Sequence, residues 1–196
     1  MRIGKILLLV ATVFLLISSA AFALEFTLDD YTVNLRDKDP GLVLYSENIL
    51  ATPASHNFEV GESLTFDLFT IGTRESSVNI DDLFSYDITV DFNFSTPEVM
   101  RSVTGESYGR WRLFSDDIGR VNWDGVVEFA FGNTGLFTIS LSDACFGTPG
   151  SDVVQATMMY VSADQSTAPV PEPATMLLLG TGLVGLAGFS RRKSNK

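Results

Sequence analysis

Three shortages in this 196-residue chain close off most of the usual chemistry before any motif is sought. There is one cysteine, Cys145, one histidine, His56, and only 13 basic residues against 24 acidic ones. A lone cysteine cannot form an intrachain disulfide. In its setting, Asp-Ala-Cys-Phe-Gly, with neither a second thiol nor a histidine near, it reads as a small, partly buried apolar residue. A serine or thiol nucleophile needs an imidazole base, and His56, in the loop-like stretch Pro-Ala-Ser-His-Asn, is the one imidazole on offer. No glycine-flanked nucleophilic serine accompanies it, so His56 reads as a surface loop residue. Zinc sites draw on several His and Cys ligands, and one of each does not supply them.

The scarcity of basic charge is sharper in the middle than in the whole. Six of the 13 basic residues (Arg2, Lys5, Arg191, Arg192, Lys193 and Lys196) lie at the two ends, whereas Glu172 is the one acid there. Residues 24–170 therefore carry seven basic and 23 acidic side chains, a net of −16 within the chain's total of −11. A body this acidic repels phosphate backbones and anionic headgroups, which argues against a nucleic-acid partner. Sustained helical periodicity is the next absence: no window between Leu24 and Val170 shows it.

What the middle has is alternation. Tyr31, Val33 and Leu35 share one face of a strand, and Leu42 to Tyr45 forms a second, after a turn at Asp39-Pro40-Gly41. Leu64, Phe66 and Leu68 lead a third towards Ile71. Tyr86, Ile88, Val90, Phe92 and Phe94 alternate with Asp87, Thr89, Asp91 and Asn93, and a slip of one residue would bury two aspartates. Val121 and Trp123 mark a further strand. Val127–Phe131 and Phe137–Leu141 flank Gly132-Asn133-Thr134-Gly135 as a hairpin, and Val154 to Tyr160 alternates last. Ala51–Asn57 and Glu98–Gly109 read as loops. Fifteen phenylalanines, most at alternating positions, would fill the space between two sheets. The fold class expected is all-β: an antiparallel, jelly-roll-like β-sandwich of about 8–10 strands.

Candidate sites in that body are few. The close pairs Asp29-Asp30, Asp81-Asp82 and Asp116-Asp117 are carboxylates of the kind calcium takes, yet no Asp-x-Asp-x-Asp-Gly loop accompanies them. Asp81 and Asp82, with Asn79 near, are the candidate structural calcium ligands; otherwise no cofactor is implied. Trp123 fits an inner face. Trp111, between Arg110 and Arg112, reads as half exposed and is the candidate ligand contact, in the manner of carbohydrate-binding sandwiches. Abundant carboxylates leave a two-acid hydrolase open as a lesser alternative.

The ends carry targeting patterns. Arg2 and Lys5, the apolar run Ile6–Ile17 and the Ala21-Phe22-Ala23 ending form a secretory signal peptide over residues 1–23, cleaved after Ala23 by signal peptidase. No cysteine stands at that junction, which excludes a lipoprotein. A body over 24–165 and a linker over 166–173 lead to an apolar helix over 174–190, in which Ala174 to Phe189 gives sixteen mostly apolar residues with no charge. A basic tail, 191–196, follows. A span with Arg191, Arg192 and Lys193 behind it keeps its basic end in the cytoplasm and its body outside.

Pro171-Glu172-Pro173, the glycine-bearing apolar helix and the basic end, in that order, resemble the PEP-CTERM sorting signal. The resemblance covers residues 169–196. It implies that Pro171, Glu172 and Pro173 are read by an exosortase, a membrane cysteine protease-transpeptidase that removes the helix. It further implies a Gram-negative host making exopolysaccharide, and a protein transiently anchored in the inner membrane before reaching the surface or matrix. On this reading the chain is a substrate and not an enzyme, with matrix polysaccharide as a further candidate partner. The prolines flanking Glu172 give the motif a physical basis, since they hold it extended and non-helical.

Overall fold

The computed structural model describes residues 23–112 and 117–164. They form eleven strands: β1 (Leu24–Asn34), β2 (Leu44–Asn48), β3 (Ala54–Phe58), β4 (Ser63–Thr73), β5 (Tyr86–Thr96), β6 (Glu98–Arg110), β7 (Ile118–Trp123), β8 (Val127–Phe131), β9 (Gly135–Leu141), β10 (Ala144–Gly147) and β11 (Gly150–Ser162). A 3-10 turn, Asp81–Leu83, precedes β5. The strands assemble into a six-stranded sheet, β10-β7-β6-β5-β1-β3, and a five-stranded sheet, β2-β4-β11-β9-β8. Every described pairing is antiparallel. The all-β expectation holds. The expected signal segment and apolar helix lie, apart from Ala23, outside the described residues. Among those residues no helix is long and apolar enough to cross a membrane.

The core is built from alternate residues of both sheets. Phe26 of β1 meets Phe137 of β9 at 5.1 Å and Tyr160 of β11 at 5.0 Å between ring centroids, both edge to face. Phe94 of β5 meets Phe137 at 5.0 Å and Phe129 of β8 at 6.0 Å in the same manner. Phe129 and Phe137, opposite one another across the β8–β9 pair, stack at 4.9 Å. Edge-to-face pairs of this kind add about 0.5–1.5 kcal/mol each beyond the area they bury. A polar stitch joins the sheets as well. Tyr31 of β1 donates its hydroxyl to the Leu68 carbonyl of β4 at 2.6 Å. Burial, reinforced by the Asp30 charge, pushes its phenol up to about 12.

Alternation located β5, the β8–β9 hairpin and β11 well. β1, β4 and β11 run longer than expected, and the second strand lies at Leu44–Asn48 instead of Leu42–Tyr45. Three strands were missed, which takes the count past ten. β3 occupies what read as the loop Ala51–Asn57. It is a short edge strand with one fully buried side chain, Phe58, so Ser55, His56 and Asn57 show no apolar period. β6, read as the loop Glu98–Gly109, is thirteen residues long. Its buried face is Val103, Gly105, Ser107 and Gly109, small residues that leave room for their neighbours. A Cβ at Gly105 would stand 2.6 Å from the Asn122 carbonyl oxygen and 2.8 Å from the Trp123 ring. β10 has only four residues. It points Ala144 and Phe146 inward and Cys145 outward, so Cys145 is exposed, not partly buried. The Asp39-Pro40-Gly41 turn stands as read: Gly41 takes φ +102° and packs where a Cβ would run into the Tyr86 ring.

Phe137→Ala should lower unfolding free energy by about 3–5 kcal/mol, the cost of deleting a buried aromatic from a packed core. Tyr31→Phe should cost only about 1 kcal/mol, because the Leu68 carbonyl keeps the Ile49 and Leu50 N–H donors at 3.0 Å. Urea denaturation of the full-length chain measures both.

Candidate functional site

Three of the residues singled out in the body, Asp81, Asp82 and Trp111, lie around the turn between β4 and β5. Asn79 begins it: its side-chain oxygen accepts the backbone N–H of Asp81 at 3.0 Å, which sets up the 3-10 turn. The two aspartates that follow part company. Asp81 reaches across to accept the Gly41 N–H at 3.1 Å. Asp82 turns inward, is fully buried, and accepts the Asn79 N–H at 2.7 Å through Oδ2. Its Oδ1 is also buried and has no hydrogen-bond partner. A third carboxylate, Glu75, just past the end of β4, accepts the Val43 N–H at 3.2 Å. Thr73 reinforces that contact by donating its hydroxyl to the Val43 carbonyl at 2.7 Å.

Electrostatics follow from the crowding. Burial raises the Asp82 carboxyl above its ordinary value; the Asn79 N–H opposes this, while the Asp81 and Asp39 charges add to it. Glu75 is raised by burial too, with the Val43 N–H opposing and Asp82, Asp39 and Asp81 adding. The arginines adjoining this region lie over rings instead of carboxylates: Arg36 sits 4.1 Å from the Tyr86 centroid and Arg74 5.0 Å from that of Tyr45. Nothing in the sequence brought Glu75 to Asp81 and Asp82. The signal that joins them is the Gly41-to-Val43 segment, whose N–H groups bind both sides.

Trp111 belongs to the same end. It is half exposed, as read, and its indole N–H is fixed to the Val78 carbonyl at 2.5 Å. Ile80, Leu83 and Phe84, in the β4–β5 connection, are also exposed. Asp117 ties the Trp111 side of the turn down by accepting the Val78 N–H and the Arg112 N–H, each at 3.1 Å. Trp123, by contrast, is buried against Phe69.

The remaining candidates scatter. Asp29 accepts the Ser95 hydroxyl and Asp30 the Tyr31 N–H, so that pair is used up locally. His56 lies on the edge strand β3, with Glu62 Oε1 at 3.6 Å from Nε2 and the Phe58 ring at 4.6 Å. Among the described residues no three His, Cys, Asp or Glu side chains stand together as a metal ligand set. A shallow groove of about 370 Å³ runs beside β1 and β5, lined by Asp37, Asp39 and Asp87 together with Arg36 and Lys38.

Ala21, Pro171, Glu172, Pro173, Arg191, Arg192 and Lys193 lie outside the described residues, and Ala23 is exposed directly before β1. For the tail, comparison with protein families decides. Residues 169–193 match the PEP-CTERM protein-sorting motif. The chain carries a PEP-CTERM sorting signal. That motif marks it for processing by an exosortase and for export with its C-terminal region at the membrane. No curated protein and no solved structure matches the chain, so the body in front of the PEP-CTERM signal is without an identified family.

The raised carboxyls of Asp82 and Glu75 bind their protons more tightly in the folded state than in the unfolded one. Stability from this source is therefore fully present below the unfolded values and is lost as pH rises through the raised folded ones. In metal-free buffer, thermal melts should show the midpoint rising as pH is lowered from neutrality towards the carboxylate range. Asp82→Asn should show a smaller rise.

Proposed function

We propose that this chain is an exported, non-catalytic protein of the cell surface or extracellular matrix, delivered there by its C-terminal signal. The observation that carries the reading is the match of residues 169–193 to the sorting motif. The layout of the body supports it. β1 begins at Leu24, immediately after the expected signal-peptidase site at Ala23, and β11 ends at Ser162, ahead of the Pro171-Glu172-Pro173 motif. The eleven strands thus lie between the two targeting segments. Proline on each side of Glu172 disfavours helix in general, which is consistent with a motif read as a linear signal. The exosortase removes the helix over 174–190, which serves as a temporary hold in the inner membrane of a Gram-negative cell.

The body itself we read as a jelly-roll-like sandwich. Support comes from β1 to β5, which pass back and forth between the two sheets at every step, and from the rings that the sheets share. A non-catalytic role is favoured by the exposed edge position of His56 against Glu62 and Phe58.

A second reading, a carbohydrate-binding module for matrix polysaccharide, rests on Trp111. An indole half exposed and clamped by its N–H offers a rigid ring face, the arrangement that stacks on a sugar. Trp111→Ala should abolish pull-down by the host's own polysaccharide while leaving the melt close to that of the wild type. Absence of wild-type pull-down removes this reading and leaves the sorting claim untouched.

Intact-mass analysis of the surface protein from exosortase-positive and exosortase-null cells tests the sorting claim. The protein should lack its C-terminal helix in the first strain and keep it in the second. A tail retained in both would refute processing.

A further inference from the structure

The fully buried Asp82 carboxylate, with one oxygen bonded and the other empty-handed, is out of keeping with the rest of this acidic body. Several other carboxylates are met by hydroxyls or N–H groups. Asp91 takes Ser102 and Asn34, Asp124 takes Thr104, and Asp67 takes Gln155. An orphaned oxygen on a buried carboxylate is costly in general, and a bound ion is one way to satisfy it. Around Asp82 the chain gathers Asp81, Asp39 and Glu75 within electrostatic reach. Among the described residues the ion pair within 4 Å is His56–Glu62, far from this turn in the fold's connectivity. Arg36 and Arg74 are committed to tyrosine faces.

We propose that this end of the fold is a binding site for a hard divalent cation of the calcium type, with Asp82 Oδ1 as its anchor and Glu75 as its second carboxylate. Carboxylate oxygens select a hard cation over zinc, which favours imidazole and thiolate. Calcium completes its six to eight oxygens with backbone carbonyls and water and tolerates irregular geometry. The segments that would be joined are already in contact through Gly41, Val43 and Asn79. They come from the β1–β2 loop, the end of β4 and the β4–β5 turn, so the ion would fasten the two sheets together at this end.

Calcium chloride alone, titrated calorimetrically into full-length protein at pH 7, should bind with a midpoint on the order of 10⁻⁴–10⁻³ M, the range of extracellular modules. It should also raise the thermal midpoint. Asp82→Asn should weaken binding about tenfold or more and abolish the thermal shift, whereas Glu128→Gln, on the exposed face of β8, should leave both intact. Should Asp82→Asn not fold, Glu75→Gln carries the same expectation. No binding by the wild type at pH 7, or binding unchanged in both Asp82→Asn and Glu75→Gln, overturns the proposal. So does stabilisation by acid alone with no response to calcium, which would make the proton the occupant.

Discussion

The fold depends on rings from one sheet entering between rings of the other. Phe26 and Phe94 come from the six-stranded sheet, and Phe129, Phe137 and Tyr160 from the five-stranded one, with centroids near 5–6 Å. β1 and β5 can contribute to this interlock in only one register, because their other faces carry the charge. β5 shows the constraint plainly: Ile88, Val90, Phe92 and Phe94 are buried while Asp87 and Asp91 are exposed. A shift by one position would exchange those sets. The register of these two strands and the polarity of their outer faces follow from that requirement.

A body with 23 acids and seven bases faces a second constraint, which is what to place beside its carboxylates. Surface ion pairs are worth about 0–1 kcal/mol, whereas hydrogen bonds to a charged acceptor contribute about 1.5–3 kcal/mol. The chain relies on the latter. Threonine and serine hydroxyls meet Asp91, Asp124, Asp29 and Glu106, and backbone N–H groups meet Asp81, Glu75, Asp117, Asp143 and Asp152. The last of these covers the Cys145 N–H on β10, a strand at the margin of its sheet, and so occupies a donor that a second chain would otherwise seek. Several of the bonds also fix loops to strands, so the acidity is structural as well as solubilising.

Where side chains alternate in size as well as polarity, the sequence was sufficient. β5, β8, β9 and β11 were visible because Phe, Ile, Val and Met recur at every second position. β6 escaped because its inner residues had to be small: bulk that would have signalled a strand is supplied from beside it by Trp123 and Val78. β3 escaped because an edge strand needs few apolar contacts. At the candidate site, the exposure of Trp111 followed from its arginine neighbours, but the meeting of Glu75 with Asp82 did not. Those two carboxylates are seven residues apart; Glu75 is held by the Val43 N–H and Asp81, the neighbour of Asp82, by the Gly41 N–H, both more than thirty residues away. The sorting signal was legible in full, since a linear motif is addressed to a reader of sequence and requires no fold.

β11 is hydrogen-bonded along both edges, to β4 and to β9. Just beyond it, Asp164 accepts the Asn133 and Thr134 N–H groups of the β8–β9 turn. Everything C-terminal to this point, the sorting tail included, is attached through that strand. Tension applied at the tail therefore falls first on the Asp164 clasp and then on two ladders loaded lengthwise, where many bonds share the pull, instead of peeling a margin strand one bond at a time. The tail is thus attached to a strand held on both sides and not to a margin strand.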